Sequence, residues 1–308
     1  MDKSQRTIID TFCGPGGMSL GFGKFFDVTY AIDNEPRAVQ TYHANHHNTQ
    51  VRQQDIRNLS GAHHDFDGIT GVIGGSPCQQ WSRRNINKKK DDPRAELPWE
   101  YMRLVEEIKP QFFVFENVTY TPEDVKLKLI KIGKALGYNV VSQCVNAADY
   151  GAAQTRRRWI VIGLLNRFVE NLLVTPKNTE QKTVGSVMSH LNNNWGFMQS
   201  HPDTLEKLSK ATTTWSSLSG KEGMYETIVK LQWDRPAPTI VNIKKVYMVH
   251  PTENRNISLA EAAALQGFPQ DYIWHGNQRS IAQQIANAMP VELATAIAKN
   301  ILGGMYEH

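Results

Sequence analysis

A cysteine follows the end of a short apolar run in the stretch GGSPCQQWS (74–82). Cys78 comes directly after Pro77 and before polar and basic residues, whereas a structural cysteine usually lies among apolar ones. A free thiol has a pKa of about 8.5, so a small fraction is thiolate at neutral pH, and nearby arginines would raise that fraction. Open α/β sheets bind ligands at the carboxyl ends of their strands, so we predict that Cys78 is a nucleophile at such an edge.

A carboxyl group lies at the end of a later apolar run, PQFFVF (110–115). Glu116 follows this run directly and precedes Asn117 and Val118. Consecutive strands of a chain that alternates strands and helices often lie side by side, so Glu116 and Cys78 are predicted to face one pocket. A carboxyl group in that pocket could donate a proton to a substrate.

A glycine-rich turn, DTFCGPGGMSLGF (10–22), follows the first apolar run and opens a predicted helix. Gly14, Gly16 and Gly17 do not have the G-x-G-x-x-G spacing of dinucleotide-binding turns, but they would let the backbone approach a ligand closely. Acids follow the next two segments, at Glu35 and at Asp55. An acid at the end of the second strand commonly binds ribose hydroxyls, so the pattern predicts a nucleoside-type cofactor.

One reaction needs a thiolate, a proton-donating carboxyl group and a nucleoside cofactor together. Carbon 5 of a cytosine ring is a poor nucleophile. Addition of a thiolate to carbon 6, with proton donation to ring nitrogen 3, makes carbon 5 carbanion-like, so that it can attack an electrophilic methyl group. This is covalent catalysis with general-acid help, and the proton transfer contributes roughly 10²–10⁴-fold.

Composition and charge set broad limits on the class of protein. The 308 residues carry a formal charge of +4 and include three cysteines, too few and too scattered for a disulfide framework or a zinc site. Cys13 and Cys144 are expected to be small buried hydrophobic residues. The chain has no apolar run of the roughly 18 residues that a spanning helix needs, and its first residues lack a signal-peptide pattern. A reducing cytosol is the expected location.

Strands and helices are predicted to alternate over the first half of the chain. Continuous apolar runs predict buried strands at 6–12, 28–33, 71–75, 111–118 and 158–163. Apolar residues at helical spacing predict a helix over 97–108. A second helix is predicted to begin with Thr121 as its cap and to end at Gly137. This alternation predicts a doubly wound, mostly parallel sheet.

In their order along the chain, these motifs resemble those of the DNA (cytosine-5)-methyltransferases of bacterial and phage restriction-modification systems, which use S-adenosylmethionine. The turn 10–17 is similar to the family's D-x-F-x-G-x-G-G motif, 77–79 to its P-C-Q and 116–118 to its E-N-V. The resemblance implies a Rossmann-like methyltransferase fold with a smaller, loop-rich target-recognition domain. It also implies cofactor contacts by Phe12, Gly14, Gly16, Gly17, Glu35, Asp55, Ile56, Pro77, Leu97 and Asn287.

The same resemblance assigns roles in catalysis. Cys78 is the implied nucleophile, Glu116 the donor to ring nitrogen 3, and Arg158 the contact to the exocyclic oxygen of the base. Arg156 would support the thiolate. The base must leave the DNA duplex, and closure of the basic loop 83–90 over the DNA could offset part of that cost. Contacts with double-stranded DNA are implied for Gln79, Ser82, Arg83, Arg84, Gln154 and Thr239.

Composition changes after about residue 170, where Asn, Thr, Ser and Trp become frequent and periodicity is poor. We therefore expect a catalytic and cofactor-binding domain at 1–171, a target-recognition domain at 172–272 and a hinge at 273–278. A C-terminal helix over 279–308 is expected to complete the first domain. The whole would act as a monomer in a bacterial cytosol or a phage-infected host, and it could work together with a restriction endonuclease.

The chain departs from the family pattern at three positions. Trp81 stands where phenylalanine is usual and keeps an aromatic ring. Ala153 stands where proline is usual, and Ala286 stands where glycine is usual, so the methyl group of Ala286 could crowd the cofactor. None of these changes removes a reacting group, so we expect an active enzyme.

Three other functions stay open at this point. Transfer-RNA cytosine methyltransferases share the catalytic residues, although the C-F-T-x-x-Y motif usual in their recognition region is absent from this sequence. An enzyme of the thymidylate synthase type also adds a cysteine to carbon 6, but its P-C is followed by histidine. A decayed methyltransferase would bind DNA without methylating it, although Cys78, Glu116 and both arginines are retained.

Overall fold

The computed structural model describes residues 6–62, 66–77, 92–166, 180–192, 195–197, 206, 208–214, 216–219, 225–243 and 246–306. The helices are α1 (Gly17–Phe22), α2 (Pro36–Asn45), α3 (Leu97–Ile108), α4 (Glu123–Ala135), α5 (Val184–Met188), α6 (Leu259–Leu265), α7 (Gln278–Asn287) and α8 (Val291–Tyr306). The strands are β1 (Thr7–Thr11), β2 (Asp27–Asp33), β3 (Gln50–Gln53), β4 (Gly71–Gly74), β5 (Phe112–Val118), β6 (Tyr138–Asn146), β7 (Gln154–Thr155), β8 (Arg157–Leu165), β9 (Ser216–Ser219), β10 (Tyr225–Lys230), β11 (Ala237–Pro238) and β12 (Tyr247–Val249).

Within these residues the main sheet has the strand order β3-β2-β1-β4-β5-β8-β6. The strands from β3 to β5 pair in parallel, and β8 runs antiparallel to both of its neighbours. The doubly wound, mostly parallel sheet is thereby confirmed. The run at 158–163, counted among the strands of the parallel pattern, is the reversed strand β8. The short connection 147–156 joins it to β6, as antiparallel pairing allows.

Phe112 and Phe113 fill the two faces of the sheet, because neighbouring residues of a strand point to opposite sides. Phe112 stacks on Phe22 with ring centroids 6.5 Å apart, whereas Phe113 lies in the core on the other face. Neither ring is exposed, and burial of each contributes on the order of 2–3 kcal/mol. Strand glycines leave the space for these rings, since a Cβ on Gly71 would overlap Phe112 and one on Gly163 would overlap Phe113.

Helices cover both faces of the sheet. Helices α1 and α8 pack on the face that holds Phe112, and helices α3 and α4 pack on the opposite face. Helix α1 approaches α8 closely because Gly21 has no side chain, and a Cβ at this position would overlap Ala294. The strand ends therefore lie between two fixed helical layers.

Helix α4 begins differently from its sequence prediction. Pro122 occupies the N-cap position, and the buried Thr121 hydroxyl donates to the Val118 carbonyl at 2.8 Å instead of capping the helix. Gly137 follows the helix with a φ of +90° and donates its N–H to the Lys134 carbonyl, as predicted for a C-terminal glycine.

A second hydrophobic core lies beside the main sheet. It contains residues of α5, α6 and α7, of β10 and β12, and Ala153, which directly precedes β7. Among the described residues, β12, β10 and β9 form a separate small sheet, and β11 pairs with β7. The poor periodicity of this part of the sequence did not predict these strands, because each is only two to six residues long.

The helix predicted over 279–308 is two helices, α7 and α8. Pro290 has no N–H for the next helical hydrogen bond, and the backbone is already extended at Ala288, with a ψ of 145°. Helix α8 packs in the first core. Helix α7 packs instead in the second core, through Ile281 and Ile285.

The two cysteines in the described residues differ in their surroundings. Cys13 is buried, as predicted, but Cys144 is exposed. The reason is that Cys144 lies on β6, which is an edge strand of the main sheet.

No helix within the described ranges is both long and apolar enough to cross a membrane. The same residues contain no group of three His, Cys, Asp or Glu side chains arranged to hold a metal ion.

A buried polar network lies between β1, α1 and α2. The Tyr42 hydroxyl donates to Ser19 Oγ at 2.8 Å, and Ser19 Oγ donates to Asp10 Oδ2 at 2.5 Å. All three side chains are at most 1% exposed. Burial raises the pKa of Asp10 to about 7, because the carboxylate loses its hydration.

Asp10 is predicted to make the protein less stable as pH rises from about 4 to about 7. In this range the folded chain keeps a proton on Asp10 that the unfolded chain has released, so the free energy of unfolding falls by up to about 1.4 kcal/mol per pH unit. Asp10→Asn removes this titration while keeping an acceptor for Ser19. The difference in free energy of unfolding between Asp10→Asn and the natural protein, measured by urea titration, should therefore shift in favour of the variant as pH rises from about 4 to about 7. A constant difference between Asp10→Asn and the natural protein across this range would contradict the assignment.

Candidate active site

A cleft of about 1090 Å³ opens at the carboxyl ends of β1, β2, β4 and β5. It brings together eleven of the residues singled out in the sequence, from both the predicted cofactor set and the predicted catalytic set. Cys78, Gln79, Ser82, Arg83 and Arg84 lie outside the described residues. The predicted site residues that line the cleft are Phe12, Gly14, Glu35, Asp55, Ile56, Pro77, Leu97, Glu116, Arg156, Arg158 and Asn287.

The glycine loop, residues 12–17, forms one wall of the cleft. Its backbone has positive φ at Phe12 (57°), Gly14 (54°) and Gly16 (100°). The Gly14 N–H donates to Asp33 Oδ2 at 2.8 Å, and Asp33 Oδ1 accepts from the Glu35 N–H at 2.8 Å. Asp33 thus ties the ends of β1 and β2 together. Burial raises the pKa of this carboxyl group above its usual value.

The three glycines of this loop serve different purposes. A Cβ on Gly14 would meet no atom within 4 Å, so this residue faces open space in the cleft. A Cβ on Gly16 would overlap His46, and one on Gly17 would lie 2.5 Å from the Met289 carbonyl oxygen. Gly16 and Gly17 were predicted to approach a cofactor, but their missing side chains make room for the protein itself.

Two acids of the predicted cofactor set cap short helical segments at the rim. Glu35 is the N-cap of α2, where its carboxylate accepts from the Arg37 N–H at 3.4 Å. Asp55 accepts from Arg57 Nη2 at 2.6 Å, and this hydrogen bond lowers the pKa of Asp55 below its usual value. Ile56 follows Asp55 and is buried, so the rim combines carboxylates with an apolar surface.

Glu116 and Arg158 form an ion pair at the other end of the cleft. Arg158 Nε lies 2.7 Å from Glu116 Oε1, and the two side chains are only 12% and 15% exposed. The antiparallel pairing of β5 with β8 brings them together. A Cβ on Gly75 would lie 2.7 Å from Glu116 Oε2, so glycine at this position leaves room for the carboxylate.

Asn117 anchors the backbone next to the predicted nucleophile. Its Nδ2 lies 3.2 Å from both the carbonyl oxygen and Oγ of Ser76, two residues before Cys78. Asn117 and Ser76 are both buried. Sequence reasoning gave Asn117 no role of its own, although its position beside Glu116 at the same strand end was a usable signal.

Arg156 lines the cleft but is almost fully buried, at 2% exposure. Its guanidinium donates to the carbonyl oxygen of Ile240 at 3.1 Å and to that of Ala286 at 2.8 Å. It therefore connects β7–β8 with the segment after β11 and with α7. Support of the thiolate by Arg156 stays a prediction, because Cys78 lies outside the described residues.

Gln154 has no exposed surface, and its contact with DNA stays a prediction. Its Nε2 donates to the Leu265 carbonyl at 3.0 Å and to Gln266 Oε1 at 2.6 Å, and its Oε1 accepts from the Ile240 N–H at 3.1 Å. Gln266 in turn donates to the Ile285 carbonyl at 2.6 Å. The paired amides bridge β7, α6 and α7 inside the protein.

The remaining predicted residues lie on the side of the second core. Thr239 donates its hydroxyl to the Thr155 carbonyl at 2.8 Å, and its contact with DNA stays a prediction. Asn242 donates to Gln283 at 2.9 Å, and Gln283 donates to Asn287 at 2.7 Å, so a row of amides leads to the cleft. The sequence gave no signal for Asn242 or Gln283, since only the packing of α7 brings them to this wall.

Comparison with known proteins gives one consistent picture. A model of the family described as C-5 cytosine-specific DNA methylase matches residues 6–303. The Type II methyltransferase M1.HphI of Haemophilus parahaemolyticus is 33% identical over 96% of this chain and 86% of its own length. The Type II methyltransferase M.FnuDI of Fusobacterium nucleatum is 30% identical over 96% of this chain and 93% of its own length.

Solved structures show the same fold. A protein described as a DNA modification methyltransferase encoded within a prophage (E. coli) has a TM-score of 0.80 at 24% identity, covering 98% of this chain and all of its own. The S. pombe Dnmt2 methyltransferase has a TM-score of 0.72 at 19% identity, with coverage of 98% of this chain and 100% of its own.

Loss of the Gln154 amide should destabilise the protein. Gln154→Ala leaves buried backbone groups of Ile240 and Leu265 without partners, so the free energy of unfolding should fall by about 3 kcal/mol in urea titration. Gln270→Ala is the matched control, because Gln270 also bonds two backbone groups but is exposed. The control should cost below about 1 kcal/mol. Equally small losses of stability in Gln154→Ala and Gln270→Ala would mean that the buried amides do not hold the two cores together.

Proposed function

Since the chain belongs to the C-5 cytosine-specific DNA methylase family, we propose that it transfers a methyl group from S-adenosylmethionine to carbon 5 of a cytosine flipped out of a short specific sequence in double-stranded DNA. One observation carries the details of this proposal. A single continuous cleft is lined by the predicted cofactor residues at one end and by Glu116, Arg158 and Pro77 at the other. Pro77 directly precedes Cys78.

The cofactor end of the cleft suits the parts of S-adenosylmethionine. Glu35 is an exposed carboxylate at the end of β2, where it can accept hydrogen bonds from ribose hydroxyls. Phe12, Ile56 and Leu97 offer apolar surface for the adenine. The open space beside Gly14 leaves room for a ligand against the loop backbone. When bound there, S-adenosylmethionine supplies the electrophilic methyl group.

Cys78 and Glu116 activate the base in the proposed reaction. The Cys78 thiolate forms a bond to carbon 6 of the flipped cytosine, and the Glu116 carboxyl group donates a proton to ring nitrogen 3. The electron pair released to carbon 5 would form the new bond to the methyl carbon of S-adenosylmethionine, whose bond to the sulfur would break, with S-adenosylhomocysteine as the leaving group. Loss of the carbon 5 proton to water, return of the ring nitrogen 3 proton to the Glu116 carboxylate and breakage of the bond to Cys78 would then restore the aromatic ring and the thiolate.

The two arginines hold these groups in place. Arg158 fixes the Glu116 carboxylate through the 2.7 Å ion pair, and it is proposed to donate to the exocyclic oxygen of the base. Arg156 adds a second fixed positive charge to the cleft, which favours the thiolate form of Cys78. Asn117 holds Ser76, so the chain enters the nucleophile position from an anchored backbone.

DNA binding is assigned to the side of the second core. Flipping the cytosine costs a few kcal/mol, and phosphate contacts by the basic loop 83–90 offset part of this cost. Thr239 and the region 172–272 are proposed to recognise the target. The naming of the relatives as Type II methyltransferases supports a restriction-modification setting. We propose that the protein acts there as a monomer in the cytosol, where it could work together with a restriction endonuclease.

Cys78→Ser should abolish methyl transfer without affecting cofactor binding. A hydroxyl is a far weaker nucleophile than a thiolate, so incorporation of labelled methyl groups into unmethylated DNA should fall by about 10³-fold or more. The dissociation constant of S-adenosylmethionine, measured by calorimetry, should stay within about twofold. Cys144→Ser is the matched control, since it makes the same substitution at an exposed edge-strand position, and it should keep full activity.

A loss of cofactor affinity in Cys78→Ser that matches the loss of activity would contradict this role. It would place Cys78 among the cofactor contacts instead. Full activity of Cys78→Ser would remove the covalent step from the mechanism.

Glu35→Ala should weaken cofactor binding. Loss of hydrogen bonds from ribose hydroxyls to a carboxylate costs about 1.5–3 kcal/mol, which is about 10- to 150-fold in the dissociation constant. Glu123→Ala is the control, because it removes an exposed acid from the first turn of α4. An unchanged dissociation constant for Glu35→Ala would exclude Glu35 from the cofactor site.

A further inference from the structure

Tyr272 and His46 lie behind the glycine loop, and the proposed chemistry uses neither of them. We propose that Tyr272 is a positioning residue for the cofactor: its hydroxyl, held by His46, fixes the backbone of the glycine loop in the form that binds S-adenosylmethionine. This inference rests on the proposed cofactor site. Tyr272 and His46 contact the side of the loop that faces the protein interior, whereas Gly14 faces the cleft.

The hydrogen atoms between the two side chains can be assigned. The Tyr272 hydroxyl donates to the Pro15 carbonyl oxygen, which can only accept. The single hydroxyl hydrogen is therefore used, and the 3.1 Å contact between Tyr272 Oη and His46 Nε2 needs its hydrogen from Nε2. Burial lowers the pKa of His46 to about 4, so the ring is neutral near pH 7 with its hydrogen on Nε2. The relay runs from His46 through Tyr272 to Pro15.

Aromatic packing fixes both rings. The His46 ring stacks on Tyr42 with centroids 4.1 Å apart and an interplanar angle of 20°. The Tyr272 ring packs against Phe268 at 4.9 Å and Trp274 at 5.2 Å. The relay therefore presents a fixed donor to the loop. Movement of this pair would require repacking of its three aromatic neighbours, Tyr42, Phe268 and Trp274.

Gly16 shows how closely the loop depends on this pair. Its φ is +100°, and a Cβ would overlap His46 Nε2 and lie 2.8 Å from Tyr272 Oη. The loop backbone thus lies directly against the relay. The turn has glycine at this position because His46 and Tyr272 occupy the space that a side chain would need. A ligand on that side of the loop is not required to explain it.

The chain around Tyr272 is fastened to α2. Asn45 Oδ1 accepts from the Ile273 N–H at 2.9 Å, and Asn45 Nδ2 donates to the Ile273 carbonyl at 2.8 Å. The His275 N–H donates to Thr41 Oγ1 at 2.9 Å. Helix α2 carries Glu35 at its N-cap. The segment 272–275, which includes half of the predicted hinge, therefore holds both the glycine loop and the helix of the proposed ribose acid.

The position of the relay determines which step it should affect. Gly14 and Pro15 line the cleft at the cofactor end, whereas Glu116 and Arg158 line the other end. Without the hydroxyl, the loop loses a bond that orders it before the cofactor binds, so binding must order it instead. The KM for S-adenosylmethionine should rise, while kcat at saturating cofactor and the KM for DNA should stay unchanged.

Tyr272→Phe tests the proposal, with Tyr138→Phe as its matched control. Tyr138 is also buried and also donates its hydroxyl to a proline carbonyl, that of Pro110 at 2.8 Å, away from the glycine loop. Calorimetric titration with S-adenosylmethionine should give a dissociation constant about five- to tenfold higher for Tyr272→Phe and within about twofold of the natural protein for Tyr138→Phe. The two variants should lose similar thermal stability.

Variants of His46 separate hydrogen bonding from packing. His46→Gln keeps an N–H donor near the position of Nε2, whereas His46→Leu keeps a similar volume without a donor. We expect His46→Gln to bind S-adenosylmethionine within about twofold of the natural protein and His46→Leu to bind about three- to fivefold more weakly. Equal weakening in both variants would indicate that only the ring packing matters, which would overturn the relay.

The outcomes distinguish this inference from the proposed function. If the natural protein binds S-adenosylmethionine and Tyr272→Phe binds it equally well, the positioning role is wrong and the cofactor site stands. If Tyr272→Phe and Tyr138→Phe weaken binding equally, the effect is general destabilisation and the inference fails. If the natural protein binds no S-adenosylmethionine, the proposed cofactor site itself fails.

Discussion

The two hydrophobic cores of this protein are joined through buried polar side chains, which must find partners because they have no access to water. Gln154 and Gln266 are completely buried, and Arg156 is nearly so. Between them they bond backbone groups after β11, at the end of α6 and at the end of α7. A buried polar group left unpaired costs about 1–3 kcal/mol. Displacement of one core relative to the other would break these hydrogen bonds, so they favour one relative position of the two cores.

The cleft depends on this constraint. One wall consists of the carboxyl ends of the parallel strands, and the other consists of α7 and the segment after β11. Arg156 touches both walls, since it belongs to the β7–β8 connection and donates to Ile240 and Ala286. The distance across the cleft is therefore set by hydrogen bonds inside the protein. Tyr272 extends the same principle to the glycine loop, which it ties to α2 through the segment 272–275.

Much of the fold and the site was predictable because both depend on local patterns. Continuous apolar runs identified β1, β2, β4 and β5, since strands buried on both faces are mostly apolar along their length. Strand β6 was missed because it is an edge strand whose sequence is half exposed. The strand ends located Glu35 and Glu116 correctly at the cleft, because parallel strands end at one edge.

Contacts that local patterns do not show decide the surroundings of several residues. Gln154 and Gly16 belong to motifs that suggest ligands, and each also contacts another part of the protein that is distant in sequence. Thr121 and Cys144 were assigned from local propensity, but Thr121 bonds the Val118 carbonyl before the helix and Cys144 lies on an edge strand. Asn242 and Gln283 carry no periodic or motif signal, and only packing brings them to the cleft. A sequence pattern gives the type of chemistry, but long-range contacts decide which side a residue faces.

The central claim is methylation of cytosine carbon 5 in DNA, and it can be tested most directly with two substrates. Unmethylated genomic DNA and bulk transfer RNA would be incubated separately with the protein and labelled S-adenosylmethionine, and the DNA would then be sequenced after bisulfite treatment. The account predicts label in the DNA, with protected cytosines at one recurring short sequence. Label confined to the RNA, or label in neither substrate while the cofactor binds, would contradict it.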